Sequence, residues 1–239
     1  MNSLLQLKNI EIFHAEICAS TNDEIKNYFN ENQTVALYTF NQTSGKGQYG
    51  NKWEINANEN LAFSLAFPIN NIELNEVALR YLIATIVHKF ISKFIKNETI
   101  SIKFPNDIYI KNKKVAGILI EKVKNFYIIG IGINVLQKEF INIPNASSIQ
   151  NFTDEIINLK ECTENFIVFL KEQKKLNETE ILKYLNDHLY LKNKIQVIDF
   201  QSKKQNSKIL KVNALGEIVI EFENNEIKKL KHKEFEFLR

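Results

Sequence analysis

Apolar and polar positions alternate in short blocks along most of the chain, a pattern that predicts many strands and few helices. Predicted strands cover residues 9–18, 34–40, 61–68, 99–104, 107–111, 114–121 and 126–135. Apolar residues at helical spacing predict helices over residues 73–96, 153–175 and 178–189. The first of these helices is apolar almost all round, so we expect it to be buried beneath a sheet.

The polar triplet Ser20-Thr21-Asn22 follows the first predicted strand and opens a short predicted helix. Thr21 and Glu24 have the spacing of a capping box, so one interpretation is that these side chains only cap the helix. The alternative is that hydroxyls and an amide in excess of capping face a polar ligand at the helix N-terminus. The triplet alone leaves both interpretations open.

The last part of the chain has a different pattern. From Lys194 onward, short apolar segments recur every 8 to 12 residues, with turn residues at 213–216 and 224–225 between them. This pattern predicts a small all-β barrel. We therefore expect two domains, covering residues 1–190 and 191–239, and 239 residues are enough for both.

Composition and charge argue against a nucleic-acid-binding, a secreted and a membrane protein. The net charge of +3 gives no reason to expect nucleic acid as a partner, and 44% apolar residues are typical of a globular protein. The two cysteines cannot form a disulfide framework, the start does not resemble a secretory signal, and no run reaches the ~18 apolar residues of a membrane helix. These features predict a cytoplasmic protein without a membrane partner.

Glycine indicates where a ligand site lies. Six of the seven glycines fall between Gly45 and Gly132, and glycine lets a ligand approach the backbone closely. Three of them are in QTSGKGQYGNKW at 42–53, which could surround an anion with backbone N–H groups. It is not a P-loop, because Asn51 replaces the expected lysine and no helix follows. GIGIN at 130–134 lacks the third glycine of a dinucleotide site, and we expect Gly132 to allow close backbone packing.

The segment KFPNDIYIKNKKVAGILIE at 103–121 combines polar groups with apolar strands. Lys103, Asn106 and Asp107 could position a triphosphate and its Mg²⁺, and Lys114 could face the same pocket from the return strand. Charged hairpin tips usually only protect a solvated sheet edge, and this interpretation is favoured for the neighbouring lysines Lys111 and Lys113.

In their order along the chain, these four segments resemble the biotin–protein ligases. STN is similar to the family's STN, QTSGKGQYGNKW to its QTxGRGRxGRxW loop, KFPNDIYIKNKKVAGILIE to its K-W-P-N-D…K-x-x-G-I-L-x-E, and GIGINV to the strand before its nucleotide contacts. The resemblance implies an α+β fold, in which a mixed sheet flanked by helices forms an SH2-like, class II synthetase-like catalytic domain. It also implies an SH3-like C-terminal β domain.

The reaction implied by this resemblance has two steps. Biotin's carboxylate attacks ATP to give biotinyl-5'-AMP and pyrophosphate, and a lysine of a biotin carboxyl carrier protein then takes the biotinyl group. Lys114 and Lys46 are the implied catalytic residues. The implied biotin contacts are Ser20, Thr21, Asn22, Gln42, Lys46, Gly47, Gln48, Lys114 and Gly117. The implied ATP contacts are Lys103, Asn106, Asp107 and Asn134; Mg²⁺ would arrive with ATP, near Asp107, without a protein cage of its own.

The sequence departs from the family pattern in the glycine-rich loop, where Lys46, Gln48 and Asn51 stand in positions that are commonly arginine. Lysine lacks arginine's bidentate geometry, so we expect this loop to retain the adenylate less firmly. The N-terminal helix-turn-helix of the repressor members is not expected here. A lipoate or octanoate transferase and a non-catalytic biotin-sensing module remain alternatives, and a homodimer through sheet edges also stays open.

Overall fold

The computed structural model describes residues 10–31, 33–141, 143–174 and 176–238, so the first residue of the 9–18 strand and the last of the 153–175 helix lie outside it. The first nine strands are β1 (Ile10–His14), β2 (Thr34–Thr39), β3 (Gly45–Lys46), β4 (Lys52–Trp53), β5 (Asn60–Pro68), β6 (Ile100–Lys103), β7 (Asp107–Ile110), β8 (Lys113–Val123) and β9 (Phe126–Asn134). The α-helices are α1 (Thr21–Glu24), α2 (Glu76–Ile91), α3 (Leu159–Lys171) and α4 (Glu178–Asp187). The last strands are β10 (Ile195–Phe200), β11 (Lys203–Val212), β12 (Ile218–Phe222), β13 (Ile227–Leu230) and β14 (Phe235–Phe237). Each predicted strand and long helix is present.

Asparagine caps set the helix starts later than the apolar pattern predicts. The Asn75 side chain accepts a hydrogen bond from the Ala78 N–H at 2.9 Å, so α2 begins at residue 76 and not 73. The Asn158 side chain accepts from the Glu161 N–H at 3.0 Å, and α3 begins at residue 159 and not 153. Side-chain acceptors of this kind satisfy the N–H groups that a helix start leaves unpaired.

Seven strands form one mixed sheet in the order β1-β2-β5-β9-β8-β7-β6. β1 and β2 are parallel, and every other neighbouring pair is antiparallel. Helix α2 packs on one face of the sheet, where large apolar residues such as Phe63, Phe90 and Ile133 are almost fully buried. This confirms the expected α+β class and the burial of the long helix.

The opposite face carries much smaller residues in the middle of the sheet. Ala62, Gly132 and Gly117 are direct neighbours across β5, β9 and β8, and Ser64 and Gly130 form the next row. Successive residues of a strand point to opposite faces, so the same strands present large residues to α2 and mostly small ones here, with Leu119 of β8 beside Gly130 as the larger neighbour. The result is a shallow groove, called the site face below.

The C-terminal strands form a five-stranded antiparallel sheet in the order β13-β12-β11-β10-β14, as the SH3-like prediction requires. Asn186 of α4 joins the two parts, because its side chain donates to the Val212 C=O at 3.0 Å and accepts from the Val212 N–H at 2.8 Å. The main apolar cluster also continues from the first sheet into the second. The boundary at residue 190 stays a prediction.

Candidate functional site

A pocket lies on the site face, beneath the segment that joins β2 to β5. Most of the residues that the sequence singled out for biotin and adenylate line it. They are Ser20, Thr21, Asn22, Gln42, Lys46, Gly47, Gln48, Asn106, Lys114 and Gly117. These residues are separated by up to about a hundred positions in the chain, so the sheet brings them together.

A β-bulge turns Lys114 towards this face. In the pairing of β7 with β8, Ile108 lies opposite Ala116, but the next residue, Tyr109, lies opposite Lys114. Val115 therefore has no partner on β7 and is the extra residue of the bulge. Without that irregularity the lysine would point to the helix-covered face, whereas with it the lysine shares a face with Asp107. Lys114 Nζ lies 2.7 Å from Asp107 Oδ1, and less than a third of either side chain is exposed. The sequence contains no evident signal for this bulge.

Asn22 is fixed by two residues that sequence reasoning missed. Its Oδ1 lies 2.6 Å from Ser64 Oγ, which must donate because the amide oxygen only accepts, and its Nδ2 donates to Glu121 Oε2 at 2.6 Å. Gly130 makes room for this arrangement, since a Cβ there would come within 2.5 Å of Asn22 Oδ1. The network settles which end of the amide is the donor.

Thr21 belongs to the same polar group and does not form the predicted capping box. Its N–H donates to Gln42 Oε1 at 2.8 Å, and its hydroxyl lies 3.2 Å from that oxygen and 2.8 Å from Ser64 Oγ. Ser20 is the N-cap residue, but its side chain makes no capping hydrogen bond. The capping-box prediction for Thr21 and Glu24 is therefore wrong, because the hydroxyl is engaged across the pocket.

The glycine-rich segment forms a small hairpin above the pocket. Gly45 pairs with Trp53 and Lys46 with Lys52, and the Gly47 N–H donates to the Asn51 C=O at 2.7 Å. Strands β4 and β5, and not an α-helix, follow this loop, in agreement with the rejection of a P-loop.

Lys46 contacts a carboxylate at the edge of the pocket. Its Nζ lies 2.5 Å from Asp23 Oδ2, and half of the lysine side chain is exposed. The hydrogen bond to Asp23 raises the pKa of Lys46. The hydrogen bonds from Lys26 and then Lys46 lower the pKa of Asp23. Lys46 therefore keeps its positive charge beside the pocket.

Trp53 is a third residue that sequence reasoning did not assign to the site. A Cβ at position 132 would lie 2.2 Å from its indole Cε2, and one at position 117 would lie 2.9 Å from Cζ3. Gly132 thus accommodates the indole and not backbone packing alone. Lys114 Nζ is 5.3 Å from the ring centroid, and the buried indole Nε1 has no hydrogen-bond partner among the residues that the structure describes.

The four residues assigned to ATP lie in different environments. Asn106 lines the pocket, but its Nδ2 donates to the Ile118 C=O at 2.7 Å. Asn134 is outside the pocket lining, and its Nδ2 donates to the Ser147 C=O at 2.9 Å. Lys103 lies opposite Asp107 and lines a separate cleft that faces the C-terminal sheet.

Within the described ranges, no three His, Cys, Asp or Glu side chains are arranged to hold a metal ion. No described helix combines the length and apolarity that crossing a membrane would need.

Comparison with known proteins agrees with this geometry. The family model "Biotin/lipoate A/B protein ligase family" matches residues 15–135, just over half of the chain. The biotin–[acetyl-CoA-carboxylase] ligase of Mycobacterium tuberculosis is 27% identical over 48% of this chain and 44% of its own. The bifunctional ligase/repressor BirA of Escherichia coli is 28% identical over 41% of this chain and 32% of its own. The aligned region thus spans less than half of either curated relative.

Among solved structures, the biotin protein ligase from Aquifex aeolicus in complex with biotin and ATP matches with a TM-score of 0.79. It is 26% identical, and the match covers 96% of this chain and 99% of that one. The matched family region contains β2, β5, β8 and β9, the strands that form the site face. On these grounds the chain belongs to the biotin/lipoate A/B protein ligase family.

Proposed function

We propose that this protein is an ATP-dependent biotin–protein ligase. It activates biotin as biotinyl-5'-AMP and then transfers the biotinyl group to a lysine of a biotin carboxyl carrier protein. The observation that carries the proposal is the Lys114–Asp107 ion pair, placed by a bulge beside a pocket lined with polar and glycine residues. The names of the M. tuberculosis and A. aeolicus relatives support biotin, ATP and an acetyl-CoA-carboxylase partner.

The pocket suits the recognition of biotin's ureido ring, which offers both N–H donors and a carbonyl acceptor. Thr21, Asn22 and Gln42 supply hydroxyl and amide groups, and the hydrogen bonds between Thr21 and Gln42 and from Ser64 to Asn22 fix these groups before a ligand arrives. Preorganisation reduces the conformational entropy that binding costs. Trp53 and the glycines of the site face supply the apolar surface for the rest of the ligand.

Lys114 would act where the carboxylate of biotin approaches the negatively charged α-phosphate of ATP. A carboxylate oxygen of biotin forms a bond to the α-phosphorus of ATP, and the bond from that phosphorus to the pyrophosphate oxygen breaks. The ammonium group of Lys114 attracts both anions and stabilises the charge that develops between them. Asp107 holds the lysine in place until the substrates bind. In the second step the carrier's amine attacks the acyl carbon, loses a proton and displaces AMP.

Mg²⁺ would enter with the triphosphate. Magnesium is usually bound by one or two carboxylates together with substrate phosphates, and Asp107 is the carboxylate beside Lys114 that fits this pattern. When bound, the ion would neutralise phosphate charge. Lys103, Asn106 and Asn134 are kept as proposed ATP residues, with Asn106 supported by its place in the pocket lining.

Other parts of the assignment are proposals of the same kind. We place the protein in the cytoplasm, which its two unpaired cysteines favour. We also propose weak retention of the adenylate, because Lys46 contacts Asp23 and Gln48 and Asn51 carry no charge. A homodimer stays a prediction.

Biotin-dependent exchange of pyrophosphate into ATP tests the proposed function directly. The protein should catalyse exchange with biotin and not with lipoate. Exchange that requires lipoate would indicate a lipoate enzyme, and exchange with neither would indicate a binding module. Lys114→Ala should reduce the exchange rate by at least about a hundredfold, the size of a typical electrostatic contribution to a transition state. Lys113→Ala changes the exposed neighbouring lysine and is the matched control. A well-folded Lys114→Ala protein with near-normal exchange would remove that lysine from the mechanism.

A further inference from the structure

The tip of the glycine-rich hairpin contacts the C-terminal sheet. Tyr49 lies at this tip, and its ring stacks on the ring of His232, with centroids 5.6 Å apart and planes inclined by 12°. Lys233 Nζ lies 4.0 Å from the Tyr49 ring centroid. His232 and Lys233 belong to the turn between β13 and β14. One turn of the C-terminal unit therefore makes two aromatic contacts with one residue of the hairpin.

The backbone at Tyr49 is specialised for presenting this side chain. Its φ of 58° is in the left-handed region, which a bulky residue seldom occupies, and Gly50 follows with a φ of 80°. Although Tyr49 remains 58% exposed, its ring is directed to His232 and Lys233. A tyrosine at a tight turn could instead be an ordinary surface residue, but the stacked ring and the nearby ammonium group favour a specific contact.

The same turn of the C-terminal unit also reaches the other segment of the site. The His232 ring lies 6.2 Å from the Phe104 ring, and Phe104 precedes Pro105 and Asn106. His232 thus lies between the two segments that carry the proposed catalytic lysines.

The hairpin is supported at its base as well as at its tip. At the base, Trp53 covers Gly132 and Gly117 on the floor of the site face. Between base and tip, Lys46 and Gly47 line the pocket. A contact at the tip adds to the free energy that opening of the hairpin would cost.

We propose that Tyr49 is a positioning residue, through which His232 and Lys233 of the C-terminal sheet keep the glycine-rich hairpin closed over the pocket. The proposal rests on the proposed function only for its consequence, which is slower loss of a bound adenylate. The contact itself is a property of the ligand-free protein. The C-terminal unit would then hold the hairpin over a pocket that the seven-stranded sheet forms.

Hydrogen–deuterium exchange of the full chain without ligand tests the contact. The Gly47 and Asn51 amides are hydrogen-bonded within the hairpin, and they exchange when it opens. An aromatic pair contributes enough free energy to change an opening equilibrium by about threefold to tenfold. Tyr49→Ala should therefore accelerate exchange of these amides by that factor, while the amides of the central strand β5 keep their wild-type rates.

Matched variants separate the contact from general loosening of the turn. Tyr49→Phe keeps the ring and has the same backbone requirement, so its exchange should stay within about twofold of wild type. His232→Ala should cause part of the increase caused by Tyr49→Ala, because Lys233 keeps its contact with Tyr49, and the double variant should show no increase beyond that of Tyr49→Ala. Unchanged exchange in Tyr49→Ala, or fully additive effects in the double variant, would overturn the proposal.

The half-life of bound biotinyl-5'-AMP connects the contact to activity. Tyr49→Ala should shorten it by the same factor by which exchange is accelerated, and Tyr49→Phe should not change it. If wild-type protein forms no adenylate, the proposed function fails while the exchange result still decides whether the contact exists. If adenylate forms but its half-life is the same in Tyr49→Ala, the proposed role in retention is wrong.

Discussion

The stability of the protein should depend on the protonation of one buried histidine, His88 in α2. Its Nε2 lies 3.2 Å from the Ile100 C=O and its Nδ1 2.9 Å from the Tyr184 hydroxyl. A carbonyl only accepts, so Nε2 carries the proton and donates it, and Nδ1 accepts from Tyr184. The ring is neutral in this arrangement. Burial lowers the pKa of His88 from 6.5 to about 4, with smaller contributions from His188 and Lys89 in the same direction.

The free energy follows from this difference in pKa. In the unfolded chain His88 takes up a proton near pH 6.5, whereas in the folded protein it does so only near pH 4. Between these values the unfolded state binds more protons than the folded state. The contribution of His88 to the free energy of unfolding is therefore fully present above pH 6.5 and is lost as the pH falls towards 4. The linkage relation gives a loss of about 2 kcal/mol at pH 5 and about 3 kcal/mol at pH 4 from this residue alone.

Urea unfolding of wild type and His88→Gln at pH 7.5 and pH 5 measures this contribution. Glutamine keeps a donor and an acceptor but does not titrate, so the stability advantage of wild type over the variant should shrink by about 2 kcal/mol at the lower pH. Asn75→Ala, which removes the cap of the same helix without removing a titrating group, should lower stability by about 1 kcal/mol at both pH values. If the difference between wild type and His88→Gln is the same at pH 7.5 and pH 5, the reasoning is refuted.

Two further predictions concern the site face. Gly132→Ala places a Cβ 2.2 Å from the Trp53 indole and should displace it, reducing biotin-dependent exchange at least tenfold and shifting the fluorescence of the chain's single tryptophan. Unchanged fluorescence would show that the indole is not where the structure places it. Glu121→Gln weakens a charged hydrogen bond to Asn22 at 2.6 Å, so the KM for biotin should rise about tenfold with little change in kcat. An unchanged KM would exclude Glu121 as a positioning residue.

Helices and strands were predictable because their apolar spacing is a local property of the sequence. The orientation and hydrogen bonding of the site residues depend on contacts between distant residues, which local spacing does not show. The spacing of Thr21 and Glu24 is that of a capping box, yet Thr21 binds Gln42, which lies 21 positions away. The catalytic role of Lys114 was assigned by resemblance alone, since the residue pattern does not predict the bulge that turns this lysine towards Asp107. The hairpin at 45–53 was expected only as a glycine-rich loop, because its short strands have no apolar alternation of their own.

Ser64 was missed even though its strand carries the signal that could have identified it. In LAFSLAFP the large residues Leu61, Phe63 and Leu65 alternate with Ala62, Ser64 and Ala66, and the alternation is one of side-chain size more than of hydrophobicity. Large isoleucines and small glycines alternate in the same way in IIGIGIN at 128–134. Two strands of this kind, paired in the sheet, must present a core on one face and an open groove on the other. A polar residue in the small-residue register then lies in the groove, which places Ser64 there before any motif is considered.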